Sequence, residues 1–271
     1  MNLDYSVILS NVYTYDIIMS LEKTGSALKK TSPKNVPPGV KRNEIGILYQ
    51  PEMAHAVMAG HKTLTRRILS RLPGLGRIVA LHQAEAGHWA VRDEKSVLHQ
   101  MSDMQLMALC PYGKPGDRLF VREAHYQWGW WTENGVNANG KPRMEFRGDP
   151  NRIEFERPAQ LKADRTAGQS DAGWWKRNSL FMPKVATRTW LEVIEVRVEP
   201  LEHLSEADAM AEGILRFETP DAQWFALDST DPVQEATAIS RYRKLWCAIN
   251  GEESWDENPL VWVVWFRKVV T

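Results

Sequence analysis

The chain closes on Leu260-Val261-Trp262-Val263-Val264-Trp265-Phe266, a run that is apolar on both faces. Strands that alternate apolar and polar residues can leave one face in water; this one cannot, so it predicts a central strand covered on both sides. The rest of the chain must therefore supply flanking strands and the layers that cover them. Thr187 to Glu199 alternates as one such strand, with Trp190, Glu192, Ile194, Val196 and Val198 on one face. Arg118 to Tyr126, which follows the Pro115-Gly116 turn, is another, with Leu119, Val121 and Glu123 sharing a face. Ile45 to Gln50 is a third. With 271 residues and 43% hydrophobic content the chain can bury a real core, and one or two domains are expected.

Helices occur between these strands. Pro51 suits a first helical position and Glu52 the positive helix start, while Met53, Ala56, Val57 and Gly60 fall on one face. Gly60 then reads as the residue just past the helix end, where a left-handed conformation excludes a Cβ. Lys62 to Arg67 emerge from that reversal as an extended stretch, Lys62, Leu64 and Arg66 alternating against Thr63, Thr65 and Arg67. Between Met53 and Ala84 there are five Lys or Arg residues and no Asp or Glu, so an anionic guest is expected there. Ser205 starts a helix with Asp208 completing an approximate capping box, and Ala207, Met210, Ala211 and Ile214 form its apolar stripe. That pattern puts Glu212 with Ser205 and Asp208 on the polar face. A longer helix follows Pro232, with Tyr242, Leu245, Trp246 and Ile249 at helical spacing.

Residues 1–43 are expected to form an N-terminal extension and a basic, proline-rich linker. The folded body begins near Glu44 and carries two insertions, at about residues 70–113 and 127–182. The first is expected to hold a hairpin at Arg77 to Arg92 and a helix at Ser102 to Leu109. The second mixes Trp128, Trp130, Trp131, Trp174 and Trp175 with several arginines, side chains that either cap the core beneath long loops or stack bases and hold phosphates. The formal charge is zero, but Lys23 to Asn43 holds six basic residues and no acid, while Glu199 to Glu235 holds ten acids against Arg216 alone. The acidic run is expected to be a solvated face. Cys110 and Cys247 lack the spacing of a zinc site and are expected to be packing residues, so neither a metal nor a cofactor is indicated. No stretch has the length of a membrane span and no leader pattern is present, so a cytoplasmic location without a membrane partner is the expectation.

The order of these pieces is a strand, a helix, Gly-x-Lys-x-x-Thr-x-Arg, Gly-Asp and a strand, then a strand leading into a Leu-Ser-Glu-x-x-Ala helix and a final aromatic strand. It resembles the ASCH domain of the PUA-like superfamily, and more closely the larger ASCH-type proteins of bacteriophages and prophages. The matching pieces are Ile47 to Arg67, Tyr112 to Glu123, Met182 to Ile214 and Tyr242 to Val269. The resemblance implies an α+β fold, a PUA-like β-barrel with helices packed at its openings and two long insertions, and a ligand cleft beside the Gly60-Arg67 loop. It also implies binding of RNA, DNA or a modified nucleobase or nucleoside there.

Some small ASCH proteins are amidohydrolases that remove acyl groups from N4-acylcytidine with a lysine, a threonine and a glutamate. Their Lys-Thr-x-Thr pattern is similar to Lys62-Thr63-Leu64-Thr65, which carries the lysine to Lys62 and the nucleophile to Thr65. Their glutamate corresponds to Glu212. The trio is chemically sensible: a hydroxyl needs a base, a lysine of lowered pKa can be that base, and a carboxyl can move a proton to the leaving amine. Two functions thus stand side by side, with Lys62, Thr65 and Glu212 catalytic in one, and with Gly60, Arg66, Arg67 and Glu123 shaping or contacting the ligand in either. A virion-assembly role is a third expectation, which rests on the phage relatives alone.

Overall fold

The computed structural model describes residues 42–161, 171–214 and 237–269, and Lys41–Thr271 form one compact unit. Of the expected extension and linker, only Arg42 and Asn43 lie within the described residues, and the acidic stretch past Ile214 lies outside them until Thr237. The body starts with β1 (Glu44–Leu48), α1 (Pro51–Met58) and β2 (Leu64–Ile68). The first insertion follows as β3 (Arg71–Leu72), β4 (Gly76–Glu85), β5 (His88–Asp93), β6 (Leu98–Ser102) and α2 (Asp103–Ala108). The expected hairpin is β4–β5, and the helix begins at a complete capping box between Ser102 and Gln105.

After β7 (Arg118–Arg122), the second insertion supplies β8 (His125–Val136), β9 (Pro142–Glu154) and β10 (Gly173–Arg177), a sheet in the order β10-β8-β9. The chain returns through β11 (Trp190–Pro200), α3 (Glu206–Ala211), α4 (Ala238–Asn250) and α5 (Glu253–Asp256) to β12 (Leu260–Val269). The protein is mixed α+β and mostly strand. Among the described residues no helix is long and apolar enough to cross a membrane.

The principal sheet has the order β1-β7-β11-β12-β2 and curls as a half-barrel; only the β1–β7 pair is parallel. The closing apolar run is central, as expected, and its two apolar faces serve two cores. Trp262, Val264 and Phe266 pack with Ile47, Val57, Leu119 and Val193, whereas Val261 and Val263 pack with Leu64, Leu201, Tyr242 and Trp246 beneath α3 and α4. β2 inherits the same division through its register with β12. Thr65 and Arg67 lie opposite Val264 and Trp262, on the face of the first core; Arg66 lies opposite Val263, on the helix side.

Two strand expectations are corrected. Arg118 to Tyr126 is not one strand but β7 and β8, separated at Glu123 and Ala124, where the chain leaves the principal sheet for the insertion sheet. In β11, Leu191 and Val193 are buried and Ile194 is exposed; a bulge between Val193 and Glu195 then resets the alternation, so that Val196 and Val198 leave the face of Ile194 and pack against the first core with Val193. A strict two-residue period cannot anticipate an inserted residue. Cys110 and Cys247 are free and buried, and burial raises the Cys110 thiol to about 12.

Candidate functional site

The site begins with the end of α1. Gly60 takes φ +80°, the left-handed value expected of it, and its N–H bonds the Val57 carbonyl at 3.1 Å. The His61 and Lys62 N–H groups then both reach the Ala56 carbonyl, at 2.9 and 3.1 Å. Thr63 donates to the Ala211 carbonyl at 2.8 Å and accepts from the Phe266 N–H at 2.9 Å. This turn is therefore tied to α1, to the end of α3 and to the central strand. It carries Lys62 inward, where the residue is only 3% exposed.

The end of α3 meets it from the opposite side. Ser205 caps that helix by accepting from the Asp208 N–H at 3.1 Å, and Glu212 is its last capping residue. Gly213 follows at φ +95°, and a Cβ there would lie 3.2 Å from the Cβ atoms of both Ala56 and Lys62. Its bareness lets Glu212 approach. Lys62 Nζ donates to the Glu212 carbonyl at 2.9 Å and forms an ion pair with Oε2. The other carboxylate oxygen, Oε1, accepts from the Arg66 N–H at 2.6 Å and the Tyr242 hydroxyl at 3.2 Å.

The face assigned to α3 is therefore corrected. Ala207 and Met210 are exposed, while Ala209, Glu212 and Ile214 are buried. The polar side faces inward because its partners are there: Asp208 receives the Arg66 guanidinium at 2.8 Å, and Glu212 is held as described. Of the acidic run, Glu199, Glu206, Asp208 and Glu212 are all engaged, Glu206 accepting from the Ala238 N–H at 2.7 Å. The expectation of a solvated acidic face fails for these residues.

Burial pushes the Lys62 ammonium below the ordinary lysine range; Glu212 opposes that effect, and Arg67 and Arg66 add to it. Burial likewise holds the Tyr49 and Tyr242 phenols above their ordinary range, with the charge of Glu212 acting in the same direction. Both phenols therefore stay protonated at neutral pH.

These groups line one cavity of about 420 Å³, a volume suited to a small ligand. It lies at the seam between the two edges of the half-barrel, where Arg67 Nη2 on β2 donates to the Leu48 carbonyl on β1 at 2.7 Å. Lys62, Thr65 and Glu212 all contribute to its wall, as do Tyr49, Arg66, Arg67 and Tyr242. Leu245, Trp246 and Ile249 of α4 give it an apolar side, and Asn178 and Ser179 from the end of the second insertion reach it.

The remaining expected residues divide. Gly60 shapes the backbone and is not part of the wall. Arg66 lines the cavity, but its fully buried guanidinium is held by Glu199 and Asp208, each at 2.8 Å. Glu123 is turned away, its carboxylate accepting from Arg188 Nη2 at 2.6 Å and its N–H donating to Met182 Sδ at 3.1 Å. Sequence reasoning missed Tyr49, Tyr242 and Gly213. Tyr242 falls at helical spacing with Leu245, Trp246 and Ile249, a pattern that marks a packing stripe and not a hydroxyl at a site.

The tryptophans of the second insertion mostly partner one another and nearby arginines. Trp128 and Trp174 meet edge to face at 5.7 Å, with the Arg152 guanidinium 3.8 Å from the Trp128 ring centre. Arg177 lies 4.0 Å from the Phe146 ring centre and 5.2 Å from that of Trp131. Among the described residues there is no group of three or more His, Cys, Asp or Glu able to hold a metal ion. No protein-family model matches the chain, and neither the curated proteins nor the solved structures contain a match to it.

Proposed function

We propose that the chain is an ASCH-type, PUA-like amidohydrolase that removes an acyl group from the exocyclic amine of a nucleobase, with N4-acylcytidine as the representative substrate. The observation that carries this reading is that Lys62, Thr65 and Glu212 share the wall of one cavity, with Lys62 and Glu212 joined there in a buried ion pair. Burying the pair is costly, and an amine held against a carboxylate is suited to passing a proton between them.

The chemistry follows from the pair. Proton transfer from Lys62 to Glu212 leaves a neutral amine and a carboxylic acid, a state favoured by the burial that lowers the Lys62 pKa. The amine takes the Thr65 proton as the hydroxyl oxygen bonds to the amide carbonyl carbon. Glu212 then gives its proton to the departing nitrogen as the C–N bond breaks, leaving acyl-threonine and the free nucleobase amine. Water is deprotonated by Glu212 and attacks the ester, Lys62 returns its proton to Thr65, and the carboxylic acid leaves. One water is consumed, and Lys62 recovers its proton from Glu212.

The test is chromatographic detection of cytidine after incubating the full chain with N4-acetylcytidine. Wild-type turnover that is lost in Lys62→Met supports the reading. If N4-acetylcytidine, its monophosphate and N4-acetylcytosine all remain intact, the reading is wrong.

A further inference from the structure

The cavity wall contains three cations, and they are not equivalent. Lys62 is paired with Glu212, and Arg66 with Glu199 and Asp208. Arg67 is half-buried between the two sheet edges: Nη2 donates to the Leu48 oxygen at 2.7 Å, and its guanidinium carbon lies 5.3 Å from the Tyr49 ring centre, beside the phenol. Among the described residues no carboxylate lies within ion-pairing distance of it. Its Nε is buried without a hydrogen-bond partner.

A half-desolvated guanidinium with spare donors and no counter-charge is poorly satisfied by the protein alone. A ligand oxyanion would complete it, because guanidinium groups match phosphate oxygens in both charge and geometry. Asn178 and Ser179 bring further polar groups to the same cavity from the second insertion. We infer that the ligand is a phosphorylated nucleoside, with Arg67 binding its phosphate while the acylated base reaches Lys62 and Thr65. This rests on the amidohydrolase reading for the identity of the base, but the charge requirement stands on Arg67 itself.

The decisive comparison is calorimetric binding of cytidine and cytidine monophosphate to the full chain, which does not depend on turnover. The monophosphate is expected to bind at least about tenfold tighter than cytidine, as for a hydrogen bond between charged groups. That advantage should shrink with added salt and fall to near unity in Arg67→Gln. Equal binding of the two by the wild-type chain overturns the inference, and so does an advantage that persists in Arg67→Gln. A short cytidine oligonucleotide forms a second arm: tighter binding than the monophosphate assigns the phosphate to a strand, and weaker binding assigns it to a free nucleotide. Failure to hydrolyse the acetylated compounds removes the enzyme reading and leaves this binding test in force.

Discussion

The charged cluster behind the cavity and the aromatic sheet of the second insertion both hold cations, and they do so in different ways. Behind the cavity, Lys62 and Arg66 are set against carboxylates, with side chains 2% and 0% exposed. In the insertion sheet, the exposed Arg152 and the half-buried Arg177 lie over rings instead. Ring faces supply a fixed quadrupole and no proton acceptor, so they hold a cation in place. A carboxylate can also take a proton, so the first region is able to do acid–base chemistry and the second is built to hold a shape. The chemistry is therefore assigned to the sparse cluster rather than to the tryptophan-rich surface.

Substitutions can break this contrast in order of expected effect. Glu212→Gln keeps the size of the side chain and removes its proton; kcat should fall by about 10²- to 10⁴-fold. Because the pair acts as a unit, adding Lys62→Met should cost little more activity than the worse single change. Arg66→Met leaves Glu199 and Asp208 short of a partner in a buried setting and should destabilise the fold by about 3–5 kcal/mol in urea unfolding. Tyr242→Phe removes one hydrogen bond to a carboxylate and should cost about 1.5–3 kcal/mol. In the insertion sheet, Arg152→Met should cost only about 0.5–1 kcal/mol. A loss there as large as that of Arg66→Met would erase the distinction between the two regions.

A pH effect sharpens the comparison further. His125 sits at the entry to the insertion sheet, 1% exposed, with Nδ1 3.1 Å from the Glu123 carbonyl and Nε2 unpartnered. Burial lowers its pKa below 6.5. The unfolded chain then takes up a proton near 6.5 while the folded one stays neutral, so stability falls as pH drops from 6.5 toward the lowered value. The melting temperature of His125→Gln should lose that part of the pH dependence, while Arg66→Met should retain it.

Much of this site was legible because its signals are local. Pro51 and Gly60 mark the helix and the reversal from which Lys62 to Arg67 emerge, and β12 is recognisable as central from its own composition; grouping Lys62 with Thr65 rested on the resemblance, because alternation alone sets them on opposite faces. The inward orientation of Glu212 was not legible from helical periodicity. A polar stripe looks solvated unless its partners are known, and those partners, Lys62, Arg66 and Tyr242, lie far away along the chain. The bulge in β11 and the departure of the chain at Glu123 were hidden for the same reason. Each depends on pairing with a distant strand rather than on residue type.

The most direct measurement is release of cytidine or its monophosphate from the N4-acetylated compounds by the wild-type chain and by Thr65→Ala, with urea unfolding run on both. The account predicts wild-type release that falls by about 10⁴-fold or more in Thr65→Ala at an unchanged unfolding midpoint. Release by Thr65→Ala at the wild-type rate would contradict it.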